Sequence, residues 1–160
     1  AYPQLNKGLC GICSMCTALE MYFGMDIAEK IYKHQNKYHE NFIVNEVSKK
    51  SPIMRFLKNL MHGYRRDGYR TEHHSGNSIT VQQLLNEQIY FKIHVALLKD
   101  SLGSKDHIIA MSHGWLFDSN LSYAIPLSNM HLDWCCGNHT NGALFLGFHE
   151  LLSVEKITKK

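Results

Sequence analysis

The stretch HIIAMSHGWLFDSN, residues 107–120, places two short apolar runs on either side of His113-Gly114. Two such runs separated by a two-residue turn dipeptide read as a β-hairpin. Centring the turn on His113-Gly114 sets Ile109 opposite Asp118 and His107 opposite Asn120. Side chains alternate along a strand, so His107, Asp118 and Asn120 then share one face, within cross-strand or diagonal reach. An imidazole beside a carboxylate or an amide has the makings of a general base and its orienter, because the partner fixes the tautomer and stabilises the charged ring. Asp118 is the first candidate for that task and Asn120 the second.

Strand character extends outward from this hairpin. IYFKIHVALL (89–98) is β-branched and aromatic with partial alternation, and the loop KDSLGSKD joins it to His107. On the other side, ALFLGFHE (143–150) reads as a strand, with the segment around Val154 as a further one. Upstream, a short helix is expected from Thr80 to Glu87, carrying Val81, Leu84 and Leu85 on one face. GYRRDGYRTEHHSG, residues 63–76, has no period and three glycines and reads as a long exposed loop, His73-His74 included. The first half carries helical periods. Ile12, Met15, Cys16, Leu19, Tyr22 and Phe23 recur at three- and four-residue steps before Gly24, Asp26 caps a second helix, and Ser51-Pro52 opens a third. Helices first and an antiparallel sheet afterwards predict an α+β fold, in a single domain over residues 1–160.

Composition limits the function classes. The chain has 44% hydrophobic and 19% charged residues, an ordinary globular balance. Its net charge of +3 and scattered basic pairs give no electrostatic case for nucleic acid. No apolar run reaches the roughly 18 residues of a membrane span, so a soluble protein is expected, with a monomer as its simplest state. Five cysteines is an odd count, with Cys10, Cys13 and Cys16 at three-residue steps and Cys135-Cys136 adjacent. That pattern predicts mostly free thiols and a reducing compartment rather than a disulfide scaffold.

Cys10 sits between Gly8 and Gly11 where a polar approach becomes the first expected helix. Unpaired N–H groups and the positive helix end favour a thiolate there. Gln4 lies six residues earlier, near enough for its amide to join the Cys10 N–H in stabilising an oxyanion. Cys13 is the alternative nucleophile, but that register would put Lys7 where the glutamine stands. Cys13 and Cys16 otherwise read as helix packing, and His94 and His131 as satisfied structural histidines.

Gln4, Cys10, His107 and Asp118 together resemble the papain-like cysteine peptidase superfamily. The segment CGICSMCTALEMYFG is similar to the nucleophile helix of the bacteriocin-leader-processing peptidases. HIIAMSHGWLFDSN is similar to the His-strand, turn, strand-Asp hairpin of those enzymes and of compact cysteine peptidases that bacteria inject into host cells. The resemblance implies a papain-like α+β fold, with a helical N-terminal half packed on a C-terminal antiparallel sheet and the nucleophile at a helix N-terminus. It implies a cysteine protease acting on a protein or peptide substrate with no cofactor. Cys10 would be the nucleophile, His107 the base, Asp118 its orienter and Gln4 the oxyanion donor. Secretion into a host cytosol, as a virulence effector, is the setting that the analogy implies. Acyl transfer, transglutamination or deamidation would use the same residues. Two other classes stay open: a non-catalytic binding domain, and a metal protein built on the cysteines and histidines, although Cys10 and Cys16 diverge around a continuous helix.

Overall fold

The computed structural model describes residues 69–75, 78–87, 92–103, 107–121 and 123–156. Among them, six strands form one antiparallel sheet: β1 (Tyr69–Ser75), β2 (Lys92–Asp100), β3 (Ile108–Ser112), β4 (Trp115–Phe117), β5 (Ile125–Pro126) and β6 (Phe145–Lys156), in the order β1-β6-β2-β3-β4-β5. Two short helices accompany it, α1 (Val81–Leu85) and α2 (Asn129–His139).

The last strand holds the sheet together. β6 pairs with β1 from Tyr69↔Lys156 to Ser75↔Glu150, and with β2 from Lys92↔Glu155 to Asp100↔Phe145. The β2 ladder shifts register between Leu97 and Leu98 and again between Lys99 and Asp100. The hairpin β3–β4 pairs Ala110 with Phe117, Met111 with Leu116 and Ser112 with Trp115, which is the register that a turn centred on His113-Gly114 requires. Both turn residues have positive φ, 50° at His113 and 77° at Gly114. This is the primed turn whose twist matches the flanking strands.

Alternation along β2 and β3 divides the interior. Ala96, Leu98, Ile109 and Met111 join Leu116, Phe148 and Leu151 in a core that also takes Val81 and Leu84 of α1 and Leu132, Cys135 and Cys136 of α2. Residues of the opposite parity, among them Ile93, Val95, Ile108 and Ala110, are also at most 1% exposed. The central strands are thus buried on both faces, which explains why IYFKIHVALL reads as nearly continuous apolar sequence instead of clean alternation.

The helices are set by their caps. Thr80 Oγ1 accepts from the Gln83 N–H at 3.2 Å, and Gln83 Oε1 accepts from the Thr80 N–H at 2.7 Å, a complete capping box. Ser128 Oγ accepts from the His131 N–H at the start of α2. Beyond the far end of α2, Asp133 Oδ1 accepts from the Phe145 N–H at 2.8 Å, tying the helix to the beginning of β6.

These observations overturn the expected papain-like α+β arrangement with its helical N-terminal half. The described residues are mostly a six-stranded antiparallel sheet with only two short helices. Among the described residues the sheet begins at Tyr69, inside the stretch expected to be a long exposed loop. YRTEHHS lacks an apolar period, but an edge strand pairs through its backbone and tolerates polar side chains on both faces. His73 and His74 therefore lie on a strand, with His73 Nε2 3.3 Å from Glu150 Oε1. Leu85, expected on the buried face of α1, is 44% exposed. The segments expected as helices around Cys10–Phe23, Asp26–Lys37 and Ser51–Met61 lie outside the described residues.

Two glycine substitutions test this turn and this helix with opposite signs. A Cβ on Gly114 would meet no atom within 4 Å, so Gly114→Ala carries only the backbone penalty of positive φ, about 1–2 kcal/mol of lost stability. Gly137 lies within α2, where a Cβ would make ordinary contact with the Ala143 carbonyl at 3.6 Å, so Gly137→Ala should stabilise by roughly 0.5–1 kcal/mol. Urea unfolding of the full chain measures both, and shifts of the same sign would contradict the assigned conformations.

Candidate active site

His107 and Asp118 flank the hairpin, one just before β3 and the other just after β4. The Leu98 N–H donates to the His107 carbonyl at 3.0 Å, which extends the β2–β3 pairing to the histidine itself. Asp118 is held by the turn that follows β4. Its carbonyl accepts from the Leu121 N–H and its Oδ1 accepts from the Asn120 N–H, both at 2.9 Å. Short polar side chains that bond the backbone two residues ahead are stiff local anchors.

With both ends fixed, His107 Nε2 lies 3.0 Å from Asp118 Oδ2. Both side chains are almost wholly buried, at 3% and 1% exposure. A buried charge is tolerated only when it is paired and hydrogen-bonded, and Asp118 meets that condition. Burial is the largest influence on its carboxyl and acts upward. The hydrogen bond and positive charge of His107, the Asn120 N–H and the Cys135 thiol together outweigh it and hold the carboxyl below its ordinary value. Asp118 is therefore a carboxylate at neutral pH, and an ionised carboxylate only accepts hydrogen bonds. The proton between the two groups then belongs to His107 Nε2. Asn120, the second candidate for this place, is exposed and takes part through its backbone N–H.

Sequence reading did not anticipate the contribution of α2. Cys135 is buried beside Asp118, whose charge acts on its thiol. The ring of His139 stacks on His107, with centroids 4.4 Å apart and planes 16° from parallel. The signal was present: Leu132, Cys135, Cys136 and His139 follow the three- and four-residue steps of a helix, and Ser128 precedes them as a cap. Trp134 lies on the outer side of this helix, 47% exposed, while its neighbours Cys135 and Cys136 are in the core.

Cys135 and Cys136 are free thiols. Burial, followed by the nearby charge of Asp118, pushes the Cys135 thiol far above its ordinary range. Burial and the charges of Asp100 and Asp133 push Cys136 up to about 12. Neither is a thiolate at neutral pH, which makes both poor nucleophiles. Cys10, Cys13 and Gln4 lie outside the described residues.

A second buried histidine has a structural part. His94 Nδ1 meets Ser153 Oγ at 2.7 Å across the β2–β6 ladder, and its Nε2 meets Glu87 Oε2 at 2.8 Å. Glu87 also pairs with Lys92 at 3.5 Å. The adjoining cavity of about 10 Å³ has room for about one water. His131 is engaged as well, its Nδ1 donating to the Pro126 carbonyl at 2.7 Å. Among the described residues, no group of three or more His, Cys, Asp or Glu side chains converges as metal ligands would. Among the same residues, no helix is long and apolar enough to cross a membrane.

The depressed carboxyl of Asp118 links stability to pH with a definite sign. A group whose folded pKa lies below its unfolded value, about 3.9 for aspartate, stabilises the fold above that value and ceases to do so as pH falls through the folded pKa. Wild type should exceed Asp118→Asn by about 1–3 kcal/mol near pH 6, and the gap should narrow as pH falls from about 5 toward 2. Urea midpoints across that range measure it, and a gap independent of pH would contradict the ionised pair. No family model, curated protein or solved structure matches this chain, so its function has to be argued from these residues.

Proposed function

We propose that the chain is a cysteine hydrolase that cleaves a peptide or isopeptide bond of a protein substrate, with His107 and Asp118 as base and orienter and Cys10 as nucleophile. The observation that carries this reading is the buried hydrogen bond from His107 Nε2 to Asp118 Oδ2. A carboxylate that engages Nε2 holds the neutral ring in the Nε2–H tautomer and makes Nδ1 the basic nitrogen. In the proposed reaction, Nδ1 takes the proton of the Cys10 thiol, and the sulfur adds to the substrate carbonyl. The oxyanion is stabilised by the Cys10 N–H and the Gln4 amide. Collapse of the adduct breaks the C–N bond as His107 returns the proton to the leaving amine, leaving a thioester. Water then adds with His107 again as base, releasing the acid and restoring the thiol.

Two features of the described residues support a nucleophile elsewhere in the chain. Cys135 and Cys136 both titrate far too high to attack at neutral pH. Ser119 is buried beside Asp118 at 6% exposure, out of reach of a substrate. The sequence context of Cys10, with a glycine on one side and Gln4 six residues before it, supplies the missing thiol and oxyanion donor.

The test compares new protein N-termini in a cell extract treated with wild type, Cys10→Ala or His107→Ala. Wild type should generate a defined set of termini, and each variant should lose them by about a thousandfold or more in rate. Termini produced equally by wild type and Cys10→Ala, or lost only with Cys13→Ala, would overturn the assignment.

A further inference from the structure

The helix α2 brings two residues four positions apart, and hence on one face, against the buried pair. Cys135 is buried beside Asp118, and His139 lays its ring over His107. We propose that His139 is a positioning residue for the His107–Asp118 pair, fixing the plane of the imidazole. The proposal rests on the reading of that pair as base and orienter.

The carboxylate of Asp118 is held by two donors, His107 Nε2 on Oδ2 and the Asn120 N–H on Oδ1, so the orientation of the imidazole is what remains to be fixed. His139 belongs to the last turn of α2, and its stacked ring opposes rotation of the His107 ring out of line with Asp118. The anchorage of α2 through Asp133 to Phe145 keeps His139 in place.

The rate at which iodoacetamide alkylates Cys10 in the full-length chain, located by mass spectrometry near pH 6 and near pH 9, separates this role from packing. Near pH 9 a thiol ionises unaided, whereas near pH 6 it needs the imidazolium beside it. The ratio of the two rates therefore reports the ion pair and cancels a general loss of structure. His139→Ala should lower the ratio about fivefold to tenfold, the loss of one ring contact. His139→Phe keeps a stacking ring and should restore the ratio to within about twofold. An unchanged ratio in His139→Ala would overturn the proposal, as would a Phe variant no better than Ala. The control is His107→Ala: if it leaves wild-type labelling near pH 6 intact, the catalytic reading of the pair fails, and this proposal with it.

Discussion

The antiparallel pairing of β2 with β6 is the constraint on which the other described elements depend. β6 carries β1 on its outer side, and β2 carries the β3–β4 hairpin on its own, so that the ladder joins every strand of the sheet. The end of β2 pairs with the beginning of β6 at Asp100↔Phe145, and just beyond it Ser101 and Leu144 exchange hydrogen bonds at 2.8 and 2.9 Å. The beginning of β3 lies on the other side of β2, at Leu97↔Ile108. α2 enters β6 at this corner, so one junction fixes both the histidine that precedes β3 and the helix that covers it. His107 is placed by a backbone hydrogen bond to β2, and Asp118 by the tight turn that follows β4.

Burial then determines the chemistry of each group at the corner. Asp118 collects enough donors to stay ionised despite its desolvation, and its charge in turn raises the neighbouring Cys135 thiol. A single negative charge is thus kept on the carboxylate and kept off the sulfur. Placing a carboxylate and a thiolate side by side in a low-dielectric site would cost several kcal/mol, and the arrangement avoids it by leaving the thiol protonated. The outcome is a buried histidine with its Nε2 committed to the Asp118 carboxylate.

The sequence revealed the hairpin and its register because the apolar runs on both sides of His113-Gly114 admit only one pairing that keeps Met111 and Leu116 together. From that register the approach of His107 and Asp118 followed directly. The strand at β2 and the helix α1 were readable for similar local reasons: an apolar run, and Val81 and Leu84 at a helical step. β1 was not readable, because an edge strand such as YRTEHHS takes its structure from a partner some eighty residues away and carries no pattern of its own. α2 was missed for another reason. Its buried face is made of cysteines and a single leucine, and Gly137 interrupts the helical signal in its last turn. The parts of the site that sequence reasoning lacked, Cys135 and His139, are the parts that this weakly patterned helix supplies. The expectation of a helical first half packed on a C-terminal sheet fails in the described residues, which are mostly one six-stranded sheet that already includes Tyr69–Ser75.

Whether His107 senses the charge of the Cys10 sulfur separates a catalytic pair from a structural one. Nitrogen-15 NMR of the histidine side chains, titrated before and after alkylation of Cys10, measures this on the folded chain without a substrate. A thiolate partner raises the pKa of an imidazole, and alkylation removes that charge. If Cys10 is the nucleophile, His107 keeps its Nε2–H tautomer on the Asp118 side and its pKa falls once Cys10 is alkylated. A His107 titration unaltered by alkylation would contradict a Cys10–His107 pair.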